Sequence, residues 1–386
     1  MTSFRLLRWL PVALVVGAGL MACDKDKDVE PPAALVAFNA KVSVEHVWSA
    51  SVGGKDTALR LALAPAVVDG VLYAAGADGS VQALDAVNGR QKWRVNTKLG
   101  LSGGPGAGGG LVVVGSRDGQ LLALEAATGA RRWLVRLSGE VMAAPVVAAE
   151  SVIVRTVDGR VKALALDNGR DLWSNEEPVP RLTLRGTSRP VLAGDTVLCG
   201  FDNGKVAAYS LANGDVLWEA AVSPPHGKTE LERLVDIDGS MEVSGHDVFA
   251  VGFQGRIAML ALDSGQVWWS HDASSYRGLT LAGETLYLSS ADGIVSAVRR
   301  RDGTAVWTQN KLARRGLTAP AVDGGAVVVA DFQGYVHWLD QGTGALIGRI
   351  STAKGRVTNA PVVANGLVYV QTDAGKLYAL RARSQG

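Results

Sequence analysis

Apolar residues along most of this chain come in short runs, and each run is cut off by a turn containing glycine. In one stretch Ala66-Val67-Val68 precedes Asp69-Gly70, and Val71-Leu72-Tyr73-Ala74 precedes Asp78-Gly79. Val81-Gln82-Ala83-Leu84 then precedes Asn88-Gly89, and Gln91 to Val95 follows. Such runs are too short for helices and read as strands. Asp-Gly and Asn-Gly supply the positive φ that tight hairpin turns require. Four strands in a unit of about 40 residues make a β-propeller blade.

The unit recurs. Trp stands at positions 48, 93, 133, 173, 218, 269 and 307. From Trp93 on, each follows a Gly by four residues: Gly89, Gly129, Gly169, Gly214, Gly265 and Gly303. A seventh copy has Gly344, with Gly348 in the place of the Trp, and an eighth ends after three strands. The strand Val44-Glu45-His46-Val47-Trp48 has no three strands before it, so it can complete the last blade and close the ring. The predicted fold is all-β: a single eight-bladed β-propeller over 40–386, four antiparallel strands per blade, shut by the N-terminal strand. Two separate β domains would need a linker-like break, and none falls within 40–381. A Trp at one fixed place per blade can cover the gap to the neighbouring blade, which explains it without a ligand. Gly348 predicts one looser junction.

The N-terminus has a different pattern. Arg5 and Arg8 precede an apolar run from Leu10 to Leu20 that is about half the length needed to span a bilayer. It reads as a signal peptide over 1–22. Leu20-Met21-Ala22-Cys23 resembles a lipobox, in which Cys23 becomes the lipidated first residue. The charged and Pro-containing stretch after it predicts a solvated tether over 23–39.

Charge and rare residues exclude several classes. The whole chain has 39 basic and 37 acidic side chains, and without Arg5 and Arg8 the balance is even. That argues against a nucleic-acid surface. Two cysteines rule out a disulfide scaffold. The five histidines have no metal-ligand spacing. The glycine run from Gly103 to Gly110 falls on a strand rather than before a helix, so a phosphate loop is a poor reading. Cys199, between Leu198 and Gly200, reads as a small buried residue. No catalytic base stands out, and no cofactor or metal is expected.

The repeat departs from itself in two consecutive connections. Residues between Trp173 and Pro190, and between Trp218 and Ser240, form the longest links. In a ring they lie on one face. The first contains Leu182-Thr183-Leu184-Arg185-Gly186, and the second runs from Thr229 to Asp238. Leucines beside an Arg and carboxylates suit a protein-binding patch. Arg185 would be held by Asp236 and Asp238, or would reach a carboxylate on a partner.

Together, the lipobox, tether, blades and two loop strings resemble the BamB family, the lipoproteins of the outer-membrane β-barrel assembly machinery. The resemblance implies a non-enzymatic scaffold. It implies contact with the periplasmic POTRA domains of BamA through Leu182, Leu184, Arg185, Asp236 and Asp238. It further implies other assembly-complex subunits reached through BamA, nascent outer-membrane proteins as clients, and a lipid anchor in the outer membrane facing the periplasm. Asp24 beside the lipidated Cys is the departure, since in enteric bacteria it signals retention in the inner membrane. The same blade repeat is similar to quinoprotein alcohol dehydrogenases, so a small PQQ-dependent dehydrogenase is the alternative. That alternative lacks the adjacent cysteines typical of such enzymes. A third reading is a periplasmic propeller with some other protein partner.

Overall fold

Asp69 and Gly70 take φ values of 49° and 74° in succession. Two residues of positive φ make the tight turn that matches strand twist, and here they join the first two strands of a blade. Those strands are Ala66–Val68 and Val71–Ala75, followed by Ser80–Asp85 and Gln91–Asn96. They pair in order, antiparallel throughout, from the channel outward. This is blade 1 of a computed structural model that describes residues 30–54, 61–352 and 355–385. The predicted signal peptide over 1–22 and the predicted lipidation site Cys23 lie outside the described residues. Six further blades repeat the order as far as Ser351.

Blade 8 is assembled from both ends of the chain. Val362–Ala364, Leu367–Gln371 and Lys376–Ser384 supply three strands, and Val42–Ser51 supplies the outermost. Its register runs from Val42 opposite Ser384 to Ser51 opposite Lys376. The predicted fold is therefore observed: eight four-stranded antiparallel blades, closed by the N-terminal strand. Closure leaves no blade missing a strand and no inner edge open to another chain.

The core is divided among the blade junctions. Between blades 1 and 2, Tyr73, Val81 and Trp93 pack with Leu101, Val112 and Leu122. Seven more clusters repeat this around the ring. At seven junctions the Trp does what the repeat suggests. Trp93 donates its indole N–H to the carbonyl of Ala126 in the next blade at 2.8 Å, and its ring covers Gly129. A Cβ on Gly129 would sit 2.7 Å from that ring, which is why glycine recurs there.

The eighth junction corrects the expectation of looseness. Gly348 lies under Val42 and Val44 of the closing strand, and Lys41 N–H bonds the Ile347 carbonyl at 2.9 Å. The glycine run in blade 2 is also structural. Gly103 and Gly106 face backbone carbonyls of Val141, Ala143 and Pro145, where a side chain would clash. Cys199 is fully buried, and burial pushes its thiol up to about 12.

The stretch predicted as a solvated tether over 23–39 is held against the propeller from Ala33 on. Ala33 pairs its N–H with the Ala313 carbonyl at 3.0 Å and receives Arg315 Nη1 at 3.0 Å. Arg349 donates to the Val36 carbonyl and lies 4.9 Å over the Phe38 ring. Residues 33–38 thus dock on blade 7, because buried guanidinium groups there need carbonyl acceptors.

Candidate functional site

Both long links run from the outer strand of one blade to the inner strand of the next, so they emerge on the same face. The first joins Asp171–Glu176 of blade 3 to Val191–Ala193 of blade 4. The second joins Val216–Ala221 of blade 4 to Glu242–Ser244 of blade 5.

The second loop splits into an exposed part and a buried part. Thr229 and Glu232 cap one turn reciprocally: Glu232 Oε2 accepts the Thr229 N–H at 3.0 Å, and Thr229 Oγ1 accepts the Glu232 N–H at 3.2 Å. These bonds hold the Glu232 carboxyl below its ordinary range. That turn presents Leu231, 62% exposed, to solvent. From Leu234 the chain turns inward, and Leu234, Val235 and Ile237 enter the core beside blade 4.

Asp236 and Asp238 alternate with those apolar residues and are buried with them. They sit beneath the first loop rather than on the surface. Asp236 Oδ1 accepts the Leu184 N–H at 2.8 Å. The Asp238 carboxylate packs against Gly186, where any Cβ would clash with it. Burial pushes the Asp236 carboxyl up to about 6; the Leu184 N–H opposes this and the neighbouring Asp202 reinforces it. Asp202, Asp236 and Asp238 bring carboxylate oxygens within 4.8 Å of one another. Charge of one sign cannot collect in a low-dielectric site without compensation. Arg155 supplies it, with Nη2 at 2.6 Å from Asp202 Oδ1 and both side chains buried.

Arg185 departs from the first of its two expected placements. It does not pair with Asp236 or Asp238. Its guanidinium grips Glu140, in the connection after blade 2, with contacts of 2.9 and 3.3 Å. Leu182 is 43% exposed, and Leu184 is half-buried over Asp236. The structure therefore brings the five predicted residues together on one face, but in two layers. Leu182, Leu184 and Arg185 form the surface, and Asp236 and Asp238 support it from below.

Sequence reasoning missed Glu140, Arg155 and Asp202. None belongs to either loop string, so only tertiary proximity reveals them. Leu231 was within reach, since it lies in the second string.

Comparison with known proteins decides the family. The sequence matches the family described as "Outer membrane protein assembly factor BamB" over residues 13–96, 77–309 and 291–384. The chain belongs to the BamB family. A relative from Marinobacter adhaerens, named outer membrane protein assembly factor BamB, is 48% identical over 97% of this chain and 96% of its own. The relative of the same name from Pseudomonas aeruginosa is 41% identical over 98% and 100%. The crystal structure of BamB from Moraxella catarrhalis superposes with a TM-score of 0.80 at 31% identity, covering 88% of this chain and all of that one. Within the BamB family the PQQ-type repeat is a propeller scaffold, and the dehydrogenase alternative falls away. The family's name ties this chain to membrane protein assembly at the outer membrane.

Proposed function

We propose that this protein is a non-enzymatic, lipid-anchored assembly factor at the periplasmic face of the outer membrane. It docks on the POTRA domains of BamA through its two linked loops. Through BamA it joins the other assembly subunits and helps nascent β-barrel proteins reach the insertion site. Family membership supports the role in assembly. The observation that carries the docking surface is the link between the loops: the Leu184 backbone is bonded to a buried Asp236, which fixes Leu182, Leu184 and Arg185 as a preformed patch. Apolar anchors beside an Arg, held by a rigid base, are what a protein interface needs.

The test is capture of BamA from solubilised outer membranes by the full-length protein. Leu184→Ala or Arg185→Ala should weaken capture about thirtyfold, the loss expected from one interface hot spot of about 2 kcal/mol. Arg131→Ala, on an ordinary outer strand, should capture normally. If the loop variants bind as well as the parent, the patch is not the interface. The anchor is tested separately: Cys23→Ser should release the folded protein into the soluble periplasmic fraction after a high-salt wash. Retention through that wash would contradict the anchor.

A further inference from the structure

The connections that precede each blade converge on the mouth of the central channel, where they enclose a cavity of about 480 Å³. Its walls are largely apolar, with Leu61, Pro65, Pro105, Met142, Ala319 and Val362 contributing. Three guanidinium groups also face it: Arg185, Arg189 and Arg277. Two of them have work elsewhere. Arg185 is paired with Glu140. Arg277 donates Nη1 to the Thr358 carbonyl at 3.0 Å and lies 4.6 Å over the Tyr276 ring.

Arg189 is the exception. It sits just before the inner strand of blade 4, and among the described residues it makes no hydrogen bond and no ion pair. Its side chain is solvent-exposed on the cavity wall. The protein around its stem lowers its pKa by partial desolvation. A guanidinium whose donors are all unused can give a fork of hydrogen bonds to an anion that enters the cavity.

The cavity narrows the class of anion. Asp238 stands on the same wall, so a second negative charge on the ligand would be repelled. Arg189 and Arg277 set against Asp238 leave one net positive charge on that lining, which matches one negative charge. The planar fork of Arg189 matches a carboxylate. The apolar walls match a short hydrophobic body, and the volume falls in the range of small-molecule sites. We propose that the channel mouth is a binding site for a small monocarboxylate with an apolar body. Arg189 grips the carboxylate and Arg277 flanks it. The site is distinct from the exposed loop patch, although Arg185 and Gly186 border both.

Isothermal titration of the full-length protein with sodium benzoate tests this, with benzamide as the uncharged analogue and inorganic phosphate as the dianion. Benzoate should bind saturably with one site per chain, and neither benzamide nor phosphate should compete. Arg189→Gln should weaken benzoate about tenfold or more, the usual loss for a charge-assisted contact. Its unfolding temperature should match the parent. Arg189→Lys keeps the charge without the fork and should fall between the two, which keeps the test sound if the Gln variant folds poorly. Absence of saturable benzoate binding overturns the proposal. So does an affinity unchanged in Arg189→Gln, or benzamide or phosphate binding as tightly as benzoate.

Discussion

Leu184 and Asp236 are 52 residues apart in sequence, yet the N–H of one donates to the carboxylate of the other at 2.8 Å. The bond joins the loop after blade 3 to the loop after blade 4. Because Asp236 is fully buried, water cannot substitute for either partner. The two loops therefore behave as one element, with Gly186 against Asp238 as its second point of closure. Substitutions in the upper layer and in the lower layer should consequently fail in different ways.

Asp236→Ala removes the acceptor and leaves the Leu184 N–H without a partner, at a cost of about 1–3 kcal/mol. The expected result is faster amide exchange across residues 182–186, weaker capture of BamA, and an intact propeller by circular dichroism. Asp236→Asn keeps an acceptor oxygen and should be milder on every count. Unchanged exchange at residues 182–186 in Asp236→Ala would show that the bond does not hold the loop.

That division into layers was not legible in the sequence. Asp236 and Asp238 look like surface carboxylates because they stand in a long, charged loop. The alternation with Val235 and Ile237 hints at burial, but only Arg155, from blade 3, makes burial affordable. The blades themselves were legible, because Trp93 and Gly129 mark one contact that each junction repeats. Even the exception has a cause in that contact. Blade 8 takes its outer strand from the other end of the chain, so no hairpin turn exists for a Trp to cover. Gly348 instead admits Val42 of the closing strand. The docking of residues 33–38 was hidden for a similar reason. Ala33, Val36 and Phe38 look unremarkable until Arg315 and Arg349 are seen beneath them.

Glu242, on the inner strand of blade 5, carries a pH dependence. Burial pushes its carboxyl up to about 7. The folded state therefore holds its proton at a pH where the unfolded chain has released it. The sign follows: this group favours folding below about pH 4.5, and that contribution is lost as pH rises through about 7. Glu242→Gln should raise the unfolding temperature at pH 8 and make little difference at pH 4. A variant equally stabilised at both values would mean that the carboxyl does not titrate in this range.

The docked N-terminal segment is testable by point substitution. Phe38 packs against the cluster between blades 6 and 7 and beneath the Arg349 guanidinium. Phe38→Ala loses half-buried aromatic area and a cation–π contact, together about 1–3 kcal/mol in urea unfolding. Asn39→Ala, at an exposed neighbour, should stay within about 0.5 kcal/mol. Equal effects of the two would show that residues 33–38 contribute nothing to the propeller.

Arg185 and Glu140 give the sharpest test of how the patch works. Their pair is partly exposed, with side-chain exposures of 37% and 16%, so breaking it should change stability by no more than about 1 kcal/mol. Its meaning for binding depends on where Arg185 points in the complex. If Arg185 must leave Glu140 to reach a carboxylate on BamA, the internal pair competes with docking, and Glu140→Ala removes the competitor. If Arg185 acts only as a strut across the connection after blade 2, Glu140→Ala lets the loop sag. The exposed position of Arg185, beside the exposed Leu182, favours competition. Glu140→Ala should therefore tighten capture of BamA by a few-fold, with unfolding unchanged, and Glu140→Gln should do the same. Combining Glu140→Ala with Arg185→Ala should give the weak capture of Arg185→Ala alone, because the competitor matters only while the guanidinium is present. Weaker capture in the Glu140 single variants would assign Arg185 to the strut and leave the leucines to carry the contact.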